Sequence, residues 1–176
     1  MPTSEFIKLF RTLGQLKNVS RSGWGRCGIQ EPESVADHSF RTTIITMIMS
    51  DYLKLNTEKA IRLALLHDIA EAVIGDITPY DKLTSEEKRR KEYETIKELL
   101  KGIPYGDNYI NLWEEFDNIH SAEARLVKNI DKFEMVLQAV EYQKQFPNLD
   151  MNEFAEDAEK QININEVREL FNIIRK

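Results

Sequence analysis

Two histidines and two aspartates have the types and spacing that could bind a metal ion. His67 and Asp68 are adjacent after an apolar run, His38 lies upstream and Asp131 lies downstream. Two imidazoles and two carboxylates supply the nitrogen and oxygen donors that a divalent transition ion takes from a protein, and the lack of thiolates argues against a structural zinc site. The set therefore predicts the metal site of a metallohydrolase.

An isolated histidine is more often an ordinary core or surface residue than a metal ligand. The chain holds three histidines, and two of them stand beside an acid in this set. The third, His120, has no predicted role. Asp131 follows Ile130 within an apolar region, where a carboxylate is costly unless it is paired or bound to a cation.

Two further acids could move protons. Glu71 follows His67 by four residues, so on a continuing helix its carboxylate would share that face and could accept the proton of an attacking water. Asp76, in a Gly-Asp turn, could donate a proton to a leaving group or hold the substrate. The plainer alternatives are a solvated helix residue for Glu71 and a turn aspartate that bonds its own backbone for Asp76.

Two residues of a glycine-rich segment could contact a substrate. Arg21 can present a planar fork of donors to a phosphate dianion. Trp24 could stack on a flat group of a substrate, although a partly buried loop anchor is at least as common a role for a tryptophan.

Helices must position these residues, because apolar residues recur at helical spacing along most of the chain. The predicted helices cover residues 4–14, 34–53, 57–68, 85–100, 107–119, 122–145, 153–160 and 165–174. Ile44 and Ile48 of the second helix are predicted to be buried, and the charges of the helix at 85–100 are predicted to form a solvated face. Ser4 is the predicted cap of the first helix, and residues 18–32 and 75–79 are predicted loops, the second able to fold back over the metal. No convincing alternating strand is present, so the predicted fold class is all-α.

Composition limits the partners. A length of 176 residues favours one domain, and a net charge of −6 argues against binding to a nucleic-acid polymer. The single cysteine, Cys27, favours a reducing compartment. No apolar run approaches the about 20 residues that cross a bilayer, and residues 1–5 show no signal-peptide pattern, so we expect a cytoplasmic protein without a membrane partner.

Several stretches together resemble the HD-domain phosphohydrolases, and among them the YfbR-type 5′-deoxynucleotidases and their eukaryotic relatives named HD domain-containing protein 2. The matching stretches are Arg21-Ser22-Gly23-Trp24, Pro32-Glu33-Ser34-Val35-Ala36-Asp37-His38-Ser39, His67-Asp68-Ile69-Ala70-Glu71, Gly75-Asp76-Ile77-Thr78-Pro79 and Ser121-Ala122-Glu123-Ala124 through Asp131. Bacterial members have the arginine and tryptophan adjacent, whereas Ser22-Gly23 separates them here, as in the eukaryotic-like branch. The spacing leaves the placement of Arg21 and the discrimination against ribonucleotides open.

The resemblance implies a single HD domain over residues 1–176, a helical bundle with the metal between helices, a motif core at about 16–142 and C-terminal helices at 150–175. It implies hydrolysis of 2′-deoxyribonucleoside 5′-monophosphates. Glu71 and Asp76 would have catalytic roles or, alternatively, would bind a second metal ion. It also implies substrate contacts by Arg21, Trp24, Asp76 and Thr78, and a homodimer, for which the later helices could supply an interface. The metal could be Mn, Co, Mg, Fe, Ni or Zn, since mixed nitrogen and oxygen donors accept several ions.

Two alternatives stay open. The chain could be an HD phosphohydrolase that acts on a triphosphate, an alarmone or a cyclic dinucleotide. It could instead be a non-catalytic helical module in which the metal is a structural clip.

Overall fold

Ten α-helices and one 3₁₀ turn form the regular structure of residues 3–176, the residues that the computed structural model describes. The helices are α1 (Thr3–Leu13), α2 (Ser22–Arg26), α3 (Val35–Tyr52), α4 (Thr57–Leu66), α5 (Glu71–Ile74), α6 (Ser85–Leu100), α7 (Gly106–Asp117), α8 (Ala122–Gln145), α9 (Asn152–Gln161) and α10 (Asn165–Ile174), with the 3₁₀ turn at Gly14–Lys17. Within that range no strand forms, and the only bridge pairs Ser20 with Ser34. The all-α prediction is confirmed.

Each of the three helices that carry the histidine and aspartate motifs begins with a side-chain cap. Ser34 and Asp37 form a reciprocal capping box at the start of α3. Asn56 accepts the amide of the third residue of α4, and Ser121 does the same for α8. Because these caps satisfy amides that a helix leaves unpaired, they determine where each helix starts and therefore which residues reach the centre of the bundle.

Helix α8 is the centre of the molecule, since α3, α4, α7, α9 and α10 all pack against it. Its side chains Leu126, Val127, Ile130 and Val136 are completely buried. A second apolar cluster, which includes Leu9, Ile69, Ile96 and Trp113, joins α1, α6 and α7 beside the turn that follows α4. Ile69, which directly follows the His67-Asp68 pair, belongs to this second cluster.

Four predictions about the local structure are wrong in detail. Ser4 does not cap α1, because the helix already includes Thr3 and the Ser4 hydroxyl bonds Glu5. The predicted loop at 18–32 contains the short helix α2. The helix that begins at Thr57 ends at Leu66.

The fourth correction concerns the polarity of α3. Ile44 and Ile48, predicted to be buried, face solvent, while His38, Thr42, Thr46 and Ser50 are buried. The helix therefore turns a polar face inward.

In residues 3–176 no helix is both long enough and apolar enough to span a membrane.

Candidate metal centre

Three packed helices bring the four predicted ligands to one place. His38 lies in the first turn of α3, His67 follows the last residue of α4, and Asp131 lies near the middle of α8. Asp68 lies in the turn after His67. Since α3, α4 and α8 pack pairwise, residues far apart in sequence become neighbours.

The ligand atoms of this set converge. Nε2 of His38 lies 3.4 Å from Nε2 of His67 and 3.3 Å from Oδ1 of Asp131. Oδ2 of Asp68 lies 3.0 Å from Nε2 of His67 and 3.7 Å from Nε2 of His38. Donors that each lie about 2.1 Å from one transition ion are separated by roughly 3.0–3.4 Å. The ligand atoms of His38, His67 and Asp68 all lie within 4.8 Å of one another, and Asp131 joins this group through its contact with Nε2 of His38.

The electrostatics of the set favour a positive charge. Burial and the charge of Arg21 disfavour the imidazolium form of His38, but hydrogen bonds to Asp131 and Glu134 outweigh them and raise its pKa to about 9. Burial alone would raise the pKa of Asp131, yet the charge of Lys132 and the contact with His38 hold that pKa well below its ordinary value. A divalent ion would replace the protons as the positive charge in this place.

Two buried oxygens nearby have no hydrogen-bond partner. They are Oδ2 of Asp68 and Oε2 of Glu71. A buried carboxylate oxygen without a partner costs free energy, and a bound cation is a common reason for one. The donor set and these two oxygens therefore fit a divalent metal ion.

The backbone between His67 and Glu71 is not the continuous helix that was predicted. The helix does not continue from His67, because residues 67–70 form tight turns in which the amide of Glu71 donates to the carbonyl of Asp68 at 3.0 Å. Nδ1 of His67 donates to the carbonyl of Ala64 at 2.6 Å, and this carbonyl is the acceptor that a continuing α-helix would use for the amide of Asp68. Glu71 then opens α5, buried beside the site.

Burial changes the acidity of Glu71. Desolvation, together with the negative charges of Asp68 and Asp76, raises its pKa to about 10, against the opposing charges of Arg21 and Lys88. This carboxyl group therefore holds a proton far more strongly than a solvated helix glutamate. The plainer alternative of a solvated residue is wrong for Glu71.

Arg21 and Asp76 meet above the predicted ligands. Nη1 of Arg21 lies 3.8 Å from Oδ2 of Asp68 and 3.7 Å from Oδ1 of Asp76. Oδ2 of Asp76 accepts the amide of Ser22 at 2.7 Å, and the Ser22 hydroxyl donates to the Asp76 carbonyl. The turn after α5 is thereby tied to the start of α2, and Arg21 faces the acids.

Trp24 has little free surface. Its residue is 1% exposed, its ring packs on Phe154 with centroids 4.2 Å apart, and its Nε1 donates to Glu33 at 3.0 Å. This packing matches a buried loop anchor. Its predicted contact with substrate stays a prediction.

Thr78 occupies the turn that covers the site. Its amide and hydroxyl both donate to Oδ2 of Asp81, at 2.7 and 2.9 Å. The side chain lines the cleft, and its role in substrate binding stays a prediction.

A cleft of about 500 Å³ opens over these residues, and its wall includes basic side chains that the sequence analysis missed. Lys128 and Lys132 come from α8, and Lys88 and Arg89 come from α6. The charges of α6 were interpreted as a solvated face, but Lys88 donates to the carbonyl of Ile77 at 2.7 Å and braces the covering turn. The available signal was that Lys128 and Lys132 stand three residues before and one after Asp131.

The HD-domain family model matches residues 13–169. The chain belongs to the HD-domain family. The human protein "5′-deoxynucleotidase HDDC2" is 43% identical over 139 residues, which are 78% of this chain and 68% of the human one. The Dictyostelium discoideum protein of the same name is 39% identical over 151 residues, covering 81% of this chain and 80% of its own.

A solved structure shares the fold of this HD domain over nearly its whole length. A conserved hypothetical protein from Pyrococcus furiosus superposes with a TM-score of 0.81 at 34% sequence identity, covering 96% of this chain and 98% of that one. The predicted HD-domain helical bundle is thus confirmed.

Proposed function

We propose that this HD domain is a metal-dependent 5′-deoxynucleotidase, which hydrolyses 2′-deoxyribonucleoside 5′-monophosphates to deoxynucleosides and phosphate. The observation that carries the proposal is that His67, Asp68 and Asp131 line a cleft of about 500 Å³ and that the fully buried His38 contacts all three of them. Relatives about 40% identical over most of the chain bear the name 5′-deoxynucleotidase.

The four converging side chains would hold a divalent ion. Such an ion supplies Lewis acidity toward water and toward a phosphoryl oxygen when it is bound. Its identity is open among Mn, Co, Mg, Fe, Ni and Zn, because imidazole and carboxylate donors suit several of them. Oδ2 of Asp131 faces Lys132 at 3.5 Å, so Oδ1 is left for the ion.

Glu71 is the candidate acceptor for the proton of the attacking water. It is buried beside the ligands and has one oxygen free of hydrogen bonds. Its strong hold on a proton suits a general base, once positive charge at the site keeps it ionised beforehand. Asp76, which already accepts the Ser22 amide and faces Arg21, is placed to hold the substrate or to donate a proton to the leaving oxygen. A second ion on Glu71 and Asp76 is the alternative role for the pair.

A phosphate would meet positive charge from more than one side. Arg21 faces the ligand carboxylates, and Lys128 and Lys132 line the same cleft. Lys128 places its Nζ over the Phe116 ring at 3.8 Å, and desolvation lowers its pKa. Cations held in a partly dry cleft bind a phosphate dianion more strongly than solvated ones. The nucleoside would lie toward Thr78 and the segment of Trp24.

The two alternative functions make different predictions. A triphosphatase would release pyrophosphate or tripolyphosphate, and a small cleft with its basic groups close to the ligands favours the monophosphate. A structural metal clip would need neither Glu71 buried beside the ligands nor Arg21 directed at them.

We also propose a homodimer, formed through α3. The outward face of that helix carries Phe40, Ile44, Ile48 and Tyr52 at successive helical turns, and Phe40, Ile48 and Tyr52 are 69%, 58% and 70% exposed. The later helices mainly close the core instead, since Ile162 and Phe171 are buried. A symmetric dimer would cover the apolar face of α3 with the same face of a second copy. The cytoplasmic location stays a prediction.

Phosphate release measured on the purified protein tests the activity. We expect turnover of deoxynucleoside monophosphates with Mn²⁺, Co²⁺ or Mg²⁺, and slower turnover of the ribonucleotides. Asp68→Ala should lower turnover by about 100-fold or more and abolish metal retention, because a missing ligand opens the site. Asp107→Ala, which removes an exposed aspartate of α7 outside the cleft, is the matched control. If every monophosphate stays intact with each ion, the substrate assignment is wrong.

A further inference from the structure

A hydrogen bond holds the imidazole of His38 on the side away from the candidate metal. Nε2 faces Asp131, Asp68 and His67, whereas Nδ1 bonds Oε2 of Glu134. His38 and Glu134 both have 0% exposure, so no water competes for this contact. No local sequence pattern distinguishes Glu134 from the other acids of α8.

A buried carboxylate controls which nitrogen of the imidazole carries hydrogen. An ionised carboxylate can only accept, so Nδ1 must be the donor, and the lone pair of a neutral ring then lies on Nε2. That is the nitrogen directed at the other ligands. A carboxylate behind a ligating histidine also fixes the orientation of the ring and raises its basicity.

Arg41 holds Glu134 in turn. Its Nε donates to Oε1 of Glu134 at 2.7 Å, while its other nitrogens donate to Glu141 at 2.8 Å and to Gln138 at 2.5 Å. Both oxygens of Glu134 are therefore occupied, one by the histidine and one by the guanidinium. Its charge is compensated without solvent.

The register of two helices produces this arrangement. His38 and Arg41 are three residues apart on α3, and Asp131 and Glu134 are three residues apart on α8. Residues at this spacing share a helix face. The packing of α3 against α8 thus places a candidate ligand opposite a candidate ligand, and in the next turn a guanidinium opposite a carboxylate.

We propose that Glu134 and Arg41 are positioning residues for the metal site, Glu134 by holding Nδ1 of His38 as a donor and Arg41 by holding Glu134. This inference rests on the metal site of the proposed function and concerns how that site is made rigid. It does not depend on which nucleotide is hydrolysed. The opposing view is that the same contacts are an ion-pair network that only joins α3 to α8.

Titration of Mn²⁺ into the metal-free protein, followed by calorimetry, separates the two views. Glu134→Gln keeps the size of the side chain and removes its charge, and we expect it to weaken Mn²⁺ binding by about 10- to 100-fold. Glu141→Gln, which changes another partner of Arg41 at the surface, is the matched control and should stay within about twofold of the wild type. A Glu134→Gln protein with a lower melting temperature and unchanged Mn²⁺ affinity would overturn the proposal.

Two further measurements keep the test decisive. If circular dichroism shows that Glu134→Gln does not fold, Arg41→Gln, at a partly exposed position, takes its place. We expect this variant to bind Mn²⁺ more weakly, and unchanged binding would count against the proposal. If the wild type binds no Mn²⁺, the titration is repeated with Co²⁺, Mg²⁺, Fe²⁺, Ni²⁺ and Zn²⁺, and a wild type that binds none of these ions would overturn both this inference and the metal site. A wild type that binds Mn²⁺ but cleaves no nucleotide would overturn the substrate assignment alone, since the variant affinities still decide the role of Glu134.

Discussion

Glu71 shows how tertiary surroundings can change the chemistry of one side chain. In sequence it is a glutamate four residues after a histidine, a spacing that occurs on many solvated helices. In the fold it is 4% exposed, and one of its oxygens has no hydrogen-bond partner. Burial and two neighbouring carboxylates raise its pKa from 4.5 to about 10, so without a metal ion the group is neutral at physiological pH.

The raised pKa predicts a pH dependence of the free energy of unfolding. From pH 4.5 to about 10 the folded metal-free protein keeps a proton on Glu71 that the unfolded chain has released. Its stability should therefore fall as the pH rises, by up to about 1.4 kcal/mol per pH unit from this group.

Urea unfolding of the metal-free wild type and of Glu71→Gln, at about pH 6 and about pH 9, measures this contribution. The variant should lose less stability than the wild type over the interval. Asp107→Asn serves as the control and should follow the wild type. Equal losses in the wild type and Glu71→Gln would contradict the prediction.

Helix α3 is the element in which sequence pattern and structure differ most. Its inward face carries His38, Thr42, Thr46 and Ser50, while Phe40, Ile44 and Ile48 face outward. An amphipathic helix normally buries its apolar stripe. Because His38 is directed into the bundle, the residues on the same face of α3 are directed inward with it, and the apolar residues of the opposite face are exposed.

The exposed stripe predicts that a charge on α3 breaks the proposed dimer. Ile48→Glu would place a carboxylate in an apolar two-fold contact, so we expect the dimer to dissociate to monomers at micromolar concentration. Sedimentation velocity measures the change in mass. Ile173→Glu, on the exposed side of α10, is the matched control and should remain dimeric.

Two results would count against this assignment. Dissociation by Ile173→Glu alone would move the interface to the C-terminal helices, as the sequence had suggested. A wild-type protein that is monomeric at high concentration would make the homodimer prediction wrong.

At the scale of the whole molecule, the candidate metal centre joins three helices that the chain order separates. The predicted ligands come from α3, from the end of α4 and its following turn, and from α8, around which most of the core is built. A cation bound there would connect all three. Without it, a cluster of acids and histidines must be kept together by protons and by Lys132 and Arg21.

Metal removal is therefore expected to lower the melting temperature. At a free metal concentration about 100 times its Kd, binding to the folded state adds about 2.7 kcal/mol, which corresponds to roughly 5–10 °C for a chain of this size. Differential scanning calorimetry with Mn²⁺ and with EDTA measures the difference. Asp131→Asn should melt at nearly the same temperature in both conditions, and an equally insensitive wild type would contradict the prediction.

Local patterns in the sequence were enough to predict most of the helices and to point to four candidate ligands. Apolar periodicity predicted α8 with its observed bounds and predicted α10 likewise, because local spacing and end signals govern where a helix lies. The chain has only three histidines, and two of them stand beside an aspartate, which pointed to His38, His67, Asp68 and Asp131 without any geometry. The choice of ligand types is a chemical property of the residues, which the chain carries in any conformation.

The neighbours that surround those residues are set by the packing of the folded chain. The rotation of α3, the tight turns before Glu71, the burial of Trp24 and the contact of Glu134 with His38 all depend on how distant helices pack. Burial and charge at a position are sums over residues from several elements. A local sequence pattern does not include these distant residues. It therefore could not predict the raised pKa of Glu71, the basic wall of the cleft or the hydrogen bond that holds His38.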